Sequence, residues 1–113
     1  ITLDFALVRL ANILDKMIIY PKTMLTNLNM TKGLIFSQEM MLELTKSGTP
    51  REKAYRIIQK YANQSFTKKI SLLELLKKDK LIKRKISINK MKNIFNYSKH
   101  FKYVNYIFRR VFN

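Results

Sequence analysis

His100 is the single histidine of the chain. An imidazole changes charge near neutral pH and could act as a general acid or base. Lys99 and Lys102 flank it, and no Asp or Glu follows Asp79, so no sequence neighbour is placed to orient it. A structural or surface role fits it better. The seven carboxylates (Asp4, Asp15, Glu39, Glu43, Glu52, Glu74 and Asp79) are scattered. Glu39 and Glu43 share a helix face at i and i+4, but with no further ligand beside them they read as solvated rather than as a metal site. There is no cysteine, hence no disulfide framework and no Cys-based metal site. Gly33 and Gly48 stand alone and build no phosphate cradle. No residue is therefore assigned a catalytic, substrate-binding or metal role, and no cofactor is expected.

Weaker constellations also favour packing over chemistry. Met24, Met30, Met40 and Met41 read as adaptable core. Tyr97, Phe101, Tyr103 and Tyr106 interleave with Lys99, Lys102, Arg109 and Arg110. That pattern could stack single-stranded nucleic acid, but at helical spacing a core stripe with lysines on the opposite face is preferred. Asn27, Thr31, Ser37 and Gln38 suit helix ends around Gly33, with a substrate contact as the alternative.

The elements holding these residues are helices. Two glycines and two prolines in 113 residues disfavour a turn-rich β architecture, and no sustained two-residue alternation occurs. Leu3 to Tyr20 reads as a first helix, apolar nearly all round apart from Arg9, Asn12 and Lys16, which demands burial among several partners. Tyr20-Pro21 stops it, because proline disfavours a helical residue before it. Pro21 to about Met30 is a second helix. Leu34 to about Ser47 is a third, with Leu34, Ile35, Met41, Leu42 and Leu44 inward. Thr49 to about Phe66 is the fourth: Gly48 suits the left-handed residue after a helix end, Thr49 the N-cap, Pro50 the first helical position, and Glu52 would close a capping box. Its apolar face is Ala54, Tyr55, Ile57, Ile58, Tyr61 and Ala62, with Arg51, Glu52, Lys53, Arg56 and Lys60 mainly outward. Ser71 to Glu74 is a second capping box opening a short helix through Leu76. Lys77 to Lys85 reads as a basic hinge. Ser87 caps a helix over Ile88 to Asn96, and Tyr103 to Phe112 closes the chain with Val104, Ile107, Phe108 and Val111 inward.

With 47% hydrophobic residues the chain is no disordered polar tail. The run Leu3–Tyr20 is no membrane span, since Arg9, Asp15 and Lys16 would each cost roughly 2.5–3.5 kcal/mol at mid-bilayer. No basic region followed by an apolar core opens the chain, so no secretory signal is expected. The net charge of +16 would attract polyanions. Lys outnumbers Arg, however, and Lys, Ile and Asn are all abundant, so compositional drift is preferred over a nucleic-acid function. The opening at Ile1, inside an uncapped apolar segment, leads us to expect a piece of something longer.

One stretch carries a family pattern. Tyr20-Pro21-Lys22-x-Met24-x-x-Asn27-Leu28, then Thr31-x-Gly33-Leu34-Ile35-Phe36-Ser37-Gln38, then Gly48-x-x-Arg51-Glu52-x-Ala54-Tyr55-Arg56-Ile57-Ile58-Gln59 resembles the C-terminal region of the adenylosuccinate lyase family. The Gly48-x-x-Arg51-Glu52-x-Ala54 part also resembles argininosuccinate lyase, and so the wider fumarase/aspartase superfamily. Tyr55, where that relative tends to have His, favours adenylosuccinate lyase. Tyr103 to Phe112 looks like the family's closing helix.

The resemblance implies an all-α fold, with residues 1–20 ending a central helical bundle and residues 21–113 forming a C-terminal helical domain. It implies a cytoplasmic homotetramer of purine biosynthesis. That enzyme releases fumarate by β-elimination from adenylosuccinate, giving AMP, and from the succinyl-carboxamide ribotide, giving AICAR. The family's catalytic serine loop, histidines and arginines lie upstream, and the loop's Ser-Ser-x-Met-Pro type of motif is absent here. The segment is thus expected to be structural and inactive alone, with the purine nucleotide held mainly by upstream chain. The rival expectation is a standalone basic helical module binding nucleic acid or a protein partner.

Overall fold

The computed structural model describes residues 1–112. Its α-helices are α1 (Thr2–Asp15), α2 (Pro21–Met30), α3 (Ser37–Lys46), α4 (Arg51–Lys68), α5 (Leu72–Lys78), α6 (Lys80–Lys85), α7 (Ile88–Ile94) and α8 (Val104–Phe112). Short 3-10 turns occupy Leu34–Phe36 and Tyr97–Phe101. No strand occurs among the described residues, so the fold is all-α as expected.

The core is small. Phe36, Met40 and Leu44 from α3 and its lead-in meet Ala54 and Ile58 of α4. Leu72 and Leu76 of α5, Ile82 of α6, Ile86, and Met91 and Ile94 of α7 close around them. The buried set on α3 runs at i, i+4 and i+8, one face of a helix. This corrects the expected inward face: Leu44 is buried, but Ile35 and Leu42 are exposed and Leu34 and Met41 only half-buried. Met40, Met41 and Leu42 spread over about half the circumference of α3, and a core on one side can take only one row of them. Of the methionines read as core, Met40 is buried and Met41 half-buried, whereas Met24 and Met30 on α2 are exposed.

The turn between α3 and α4 fixes this hairpin. Gly48 has φ +86°. Its N–H donates to the Thr45 carbonyl at 3.0 Å, and the Thr49 N–H donates to the Leu44 carbonyl at 3.1 Å, the paired bonds of a Schellman helix end. The same geometry overturns the expected capping box. The Thr49 amide is already spent on Leu44, Pro50 takes the N-cap position, and α4 has no side-chain cap. Ser71 does sit at the N-cap of α5, but it too makes no side-chain cap bond.

Three further departures have physical causes. The first helix ends at Asp15, not Tyr20. Ile18 and Ile19 are β-branched and poor helix formers, Pro21 keeps Tyr20 out of the helical region, at φ −111° and ψ 80°, and Asp15 opposes the helix dipole at that end. The expected hinge Lys77–Lys85 holds helix α6 instead, because Asp79 caps it by accepting from the Leu81 and Ile82 amides at 2.7 and 3.0 Å. The Tyr103–Phe112 stripe exists as α8, but Val104, Ile107, Phe108 and Val111 are all exposed. Ser87 caps α7 as expected, accepting from the Lys90 amide at 3.3 Å. Every residue of α1 and α2 is exposed.

The molecule is correspondingly extended. Its radius of gyration is 19.9 Å, against about 13 Å for a compact domain of this length. It exposes 9651 Å², about half again the roughly 6,500 Å² of a folded monomer of its mass. No helix among the described residues is long and apolar enough to cross a membrane.

Gly33 and Gly48 make a contrasting pair. Both have positive φ, +83° and +86°. A Cβ on Gly33 would lie 2.9 Å from Phe95 Cε1, whereas one on Gly48 meets only the flexible Lys85 Nζ at 3.9 Å. Gly48→Ala should cost about 1–2 kcal/mol from backbone strain alone. Gly33→Ala should cost more, and urea melts of the two variants check the order.

Candidate functional site

The α3–α4 hairpin brings the two halves of the family-like pattern to one place. Ser37 and Gln38 open α3, and Arg51, Glu52, Tyr55, Arg56 and Gln59 lie along the first half of α4. Together with Met41, Ile58 and Ala62 they line an open groove of about 750 Å³. On α4 the positions 52, 55, 56 and 59 recur at three- and four-residue spacing, which is one helix face. Sequence reading put Tyr55 on the apolar core face and Arg51, Glu52 and Arg56 outward. The structure leaves Tyr55 57% exposed and shares one groove among all four. Two ion pairs occur among the described residues, Glu43 with Lys90 and Glu39 with Lys99. Arg51, Arg56 and Glu52 are in neither. Gln59 donates to Asn63 Oδ1 at 3.2 Å.

The remaining singled-out residues go elsewhere. Glu39 and Glu43, read as a solvated pair, instead tie α3 to Lys99 and to Lys90 on α7. No metal-holding cluster occurs among the described residues. His100 is exposed and stacks over Phe36, ring centroids 6.2 Å apart and 20° between planes. Phe95 and Tyr97 pack on the same ring, each at 5.2 Å. His100 thus helps clamp the Tyr97–Phe101 turn onto the start of α3, and neither ion pair among the described residues includes it. Of the aromatic stripe, Tyr97 is half-buried and donates to Asn29 Oδ1 at 3.4 Å, while Phe101, Tyr103 and Tyr106 are exposed. Thr31 serves a helix end, its hydroxyl donating to the Leu28 carbonyl at 2.8 Å. Asn27 remains on exposed α2.

Sequence reading passed over Asp79. Besides capping α6, its Oδ2 accepts the Tyr61 hydroxyl at 2.6 Å. Burial pulls the Asp79 carboxyl upward, but the Tyr61 hydroxyl and the Ile82 and Leu81 amides outweigh it, leaving the pKa below the ordinary range. The same bond, with burial behind it, pushes Tyr61 from 10.0 up to about 12. The signal was present in an Asp two residues before the Leu81-Ile82 pair, an N-cap position.

This pair predicts a pH dependence. A lowered carboxyl stabilises the fold above the ordinary carboxylate pKa of about 4, and that contribution fades as pH falls through the lower folded value. A raised phenol stabilises below pH 10 and loses its contribution as pH rises toward 12. Tyr61→Phe should therefore destabilise near neutral pH by about 1.5 kcal/mol, the low end for a charged acceptor because the pair is only half-buried. The difference from the parent should shrink at pH 3, as urea midpoints at the two pH values will show.

Comparison with known proteins places the chain. The family described as adenylosuccinate lyase C-terminus matches residues 33–111. Adenylosuccinate lyase of Helicobacter pylori is 38% identical over 122 residues, covering 99% of this chain and 28% of that protein. The enzyme of Bacillus subtilis is 34% identical over 111 residues, covering 98% of this chain and 26% of its own length. That of Thermotoga maritima is 32% identical over 109 residues, covering 96% and 25%. The chain spans about a quarter of the length of these relatives.

Proposed function

The chain belongs to the adenylosuccinate lyase C-terminus family, and from that premise we propose that it is the C-terminal part of an adenylosuccinate lyase. The observation that carries the reading is the match across nearly the whole chain to enzymes of that name. The reaction is β-elimination of fumarate from adenylosuccinate, giving AMP, and from the succinyl-carboxamide ribotide, giving AICAR. It serves purine biosynthesis in the cytoplasm. Such a reaction needs a base to take the proton beside a carboxylate and an acid for the leaving nitrogen. The one histidine here stacks on Phe36, Asp79 caps a helix, and Glu39 and Glu43 pair with lysines, an arrangement that suits a structural segment served by upstream catalytic groups.

The role of the segment in this proposal is architectural. Residues 1–20 end a central bundle of a homotetramer, and residues 21–113 form the C-terminal domain. Support comes from α1, where Leu3, Phe5, Leu7, Leu10 and Ile13 are all more than half exposed. Burying such a side chain gains about 1.5–3 kcal/mol, so the native assembly has a strong drive to cover this helix.

The native polypeptide should run several times larger than 13.5 kDa and release fumarate from adenylosuccinate. A native band at 13.5 kDa without that activity would contradict the reading. In the active protein, His100→Ala should leave kcat nearly unchanged. A fall of about 10²–10⁴-fold, the size of a general acid–base contribution, would show that His100 is catalytic after all.

A further inference from the structure

We propose that the α3–α4 groove is a binding site for a phosphorylated aromatic heterocycle, of the nucleoside monophosphate class, separate from the fumarate-releasing chemistry. The volume of about 750 Å³ falls inside the roughly 300–1,000 Å³ of small-molecule sites. The chemistry of the lining selects the ligand. Arg51 and Arg56 present two guanidinium forks that no carboxylate engages among the described residues, and such forks match phosphate oxygens in paired hydrogen bonds. The exposed Tyr55 ring offers a flat face for a planar base. Gln38 and Gln59 bring carboxamides, which can both donate to and accept from the edge of a base. Glu52 accepts, and so suits a ribose hydroxyl.

The balance of two guanidiniums against one carboxylate also sets the selectivity. Phosphate alone gains only the charge contacts and faces Glu52, whereas a nucleotide adds the ring and the carboxamides. The site goes beyond the catalytic reading, which requires no ligand in this segment.

The test is hydrogen exchange read by mass spectrometry on the whole protein that carries this segment, with and without AMP. Peptides over residues 37–41 and 51–59 should slow with AMP and respond more weakly to inorganic phosphate. Arg56→Ala, a change at an exposed position, should weaken the AMP response at these peptides about 10–100-fold in concentration. Three results overturn the proposal: no slowing with AMP, slowing that Arg56→Ala leaves intact, or peptides already fully protected without ligand because other polypeptide fills the groove. Fumarate release by the unaltered protein is assayed in parallel. Its presence alongside any of those results sinks the groove site alone. Its absence alongside Arg56-dependent slowing contradicts the catalytic reading alone.

Discussion

Gly48 adopts a backbone conformation that other residues resist, and through it α3 and α4 reverse direction within four residues. The two bonds of that turn consume the Gly48 and Thr49 amides. Everything that packs well in the molecule packs on the resulting hairpin. Met40 and Leu44 face Ala54 and Ile58 across the seam, and α5, α6 and α7 bury Leu72, Leu76, Ile82 and Met91 against it. Other tethers then hold the periphery. The Lys32 carbonyl accepts from the Leu72 amide at 2.9 Å, Tyr61 and Asp79 join α4 to the start of α6, and Lys85 donates to the Ser47 carbonyl at 3.1 Å, closing α6 over the turn itself.

Outside this cluster the physics runs the other way. α1, α2 and α8 expose apolar side chains that a soluble monomer would normally hide. The surface is about half again what a chain of this mass should leave in water. The net charge of +16 makes close approach of bare copies unfavourable unless the remainder of the protein supplies compensating acid. The proposed role, a C-terminal segment whose core is completed by other parts of a larger enzyme, would reconcile an ordered hairpin with three uncovered helices.

Much of this was legible in the residues, and the failures have identifiable causes. Helical periodicity and scarce Gly and Pro gave the all-α class, and Gly48 and Ser87 announced their helix ends. The capping box at Thr49 was misplaced because sequence does not show that the Thr49 amide is committed to Leu44. The hinge at Lys77–Lys85 was misread because lysines hid Ile82 and Ile86, which join Leu76 in one core only once Asp79 has broken and restarted the helix. The buried face of α3 was ambiguous because Met40, Met41 and Leu42 point in three successive directions around the helix. The groove left no linear trace, since Gln38 and Arg56 come together only after the hairpin folds. The family pattern was legible because order and spacing survive without any knowledge of contacts.

On the proposed reading, α1 is core in the native protein rather than surface. Amide hydrogen exchange of residues 2–15 in that protein tests this directly. The account predicts protection comparable to that of α4, with opening only at the global unfolding free energy. Exchange of α1 at the rate of a solvent-exposed, fraying helix, while α4 stays protected, would contradict it.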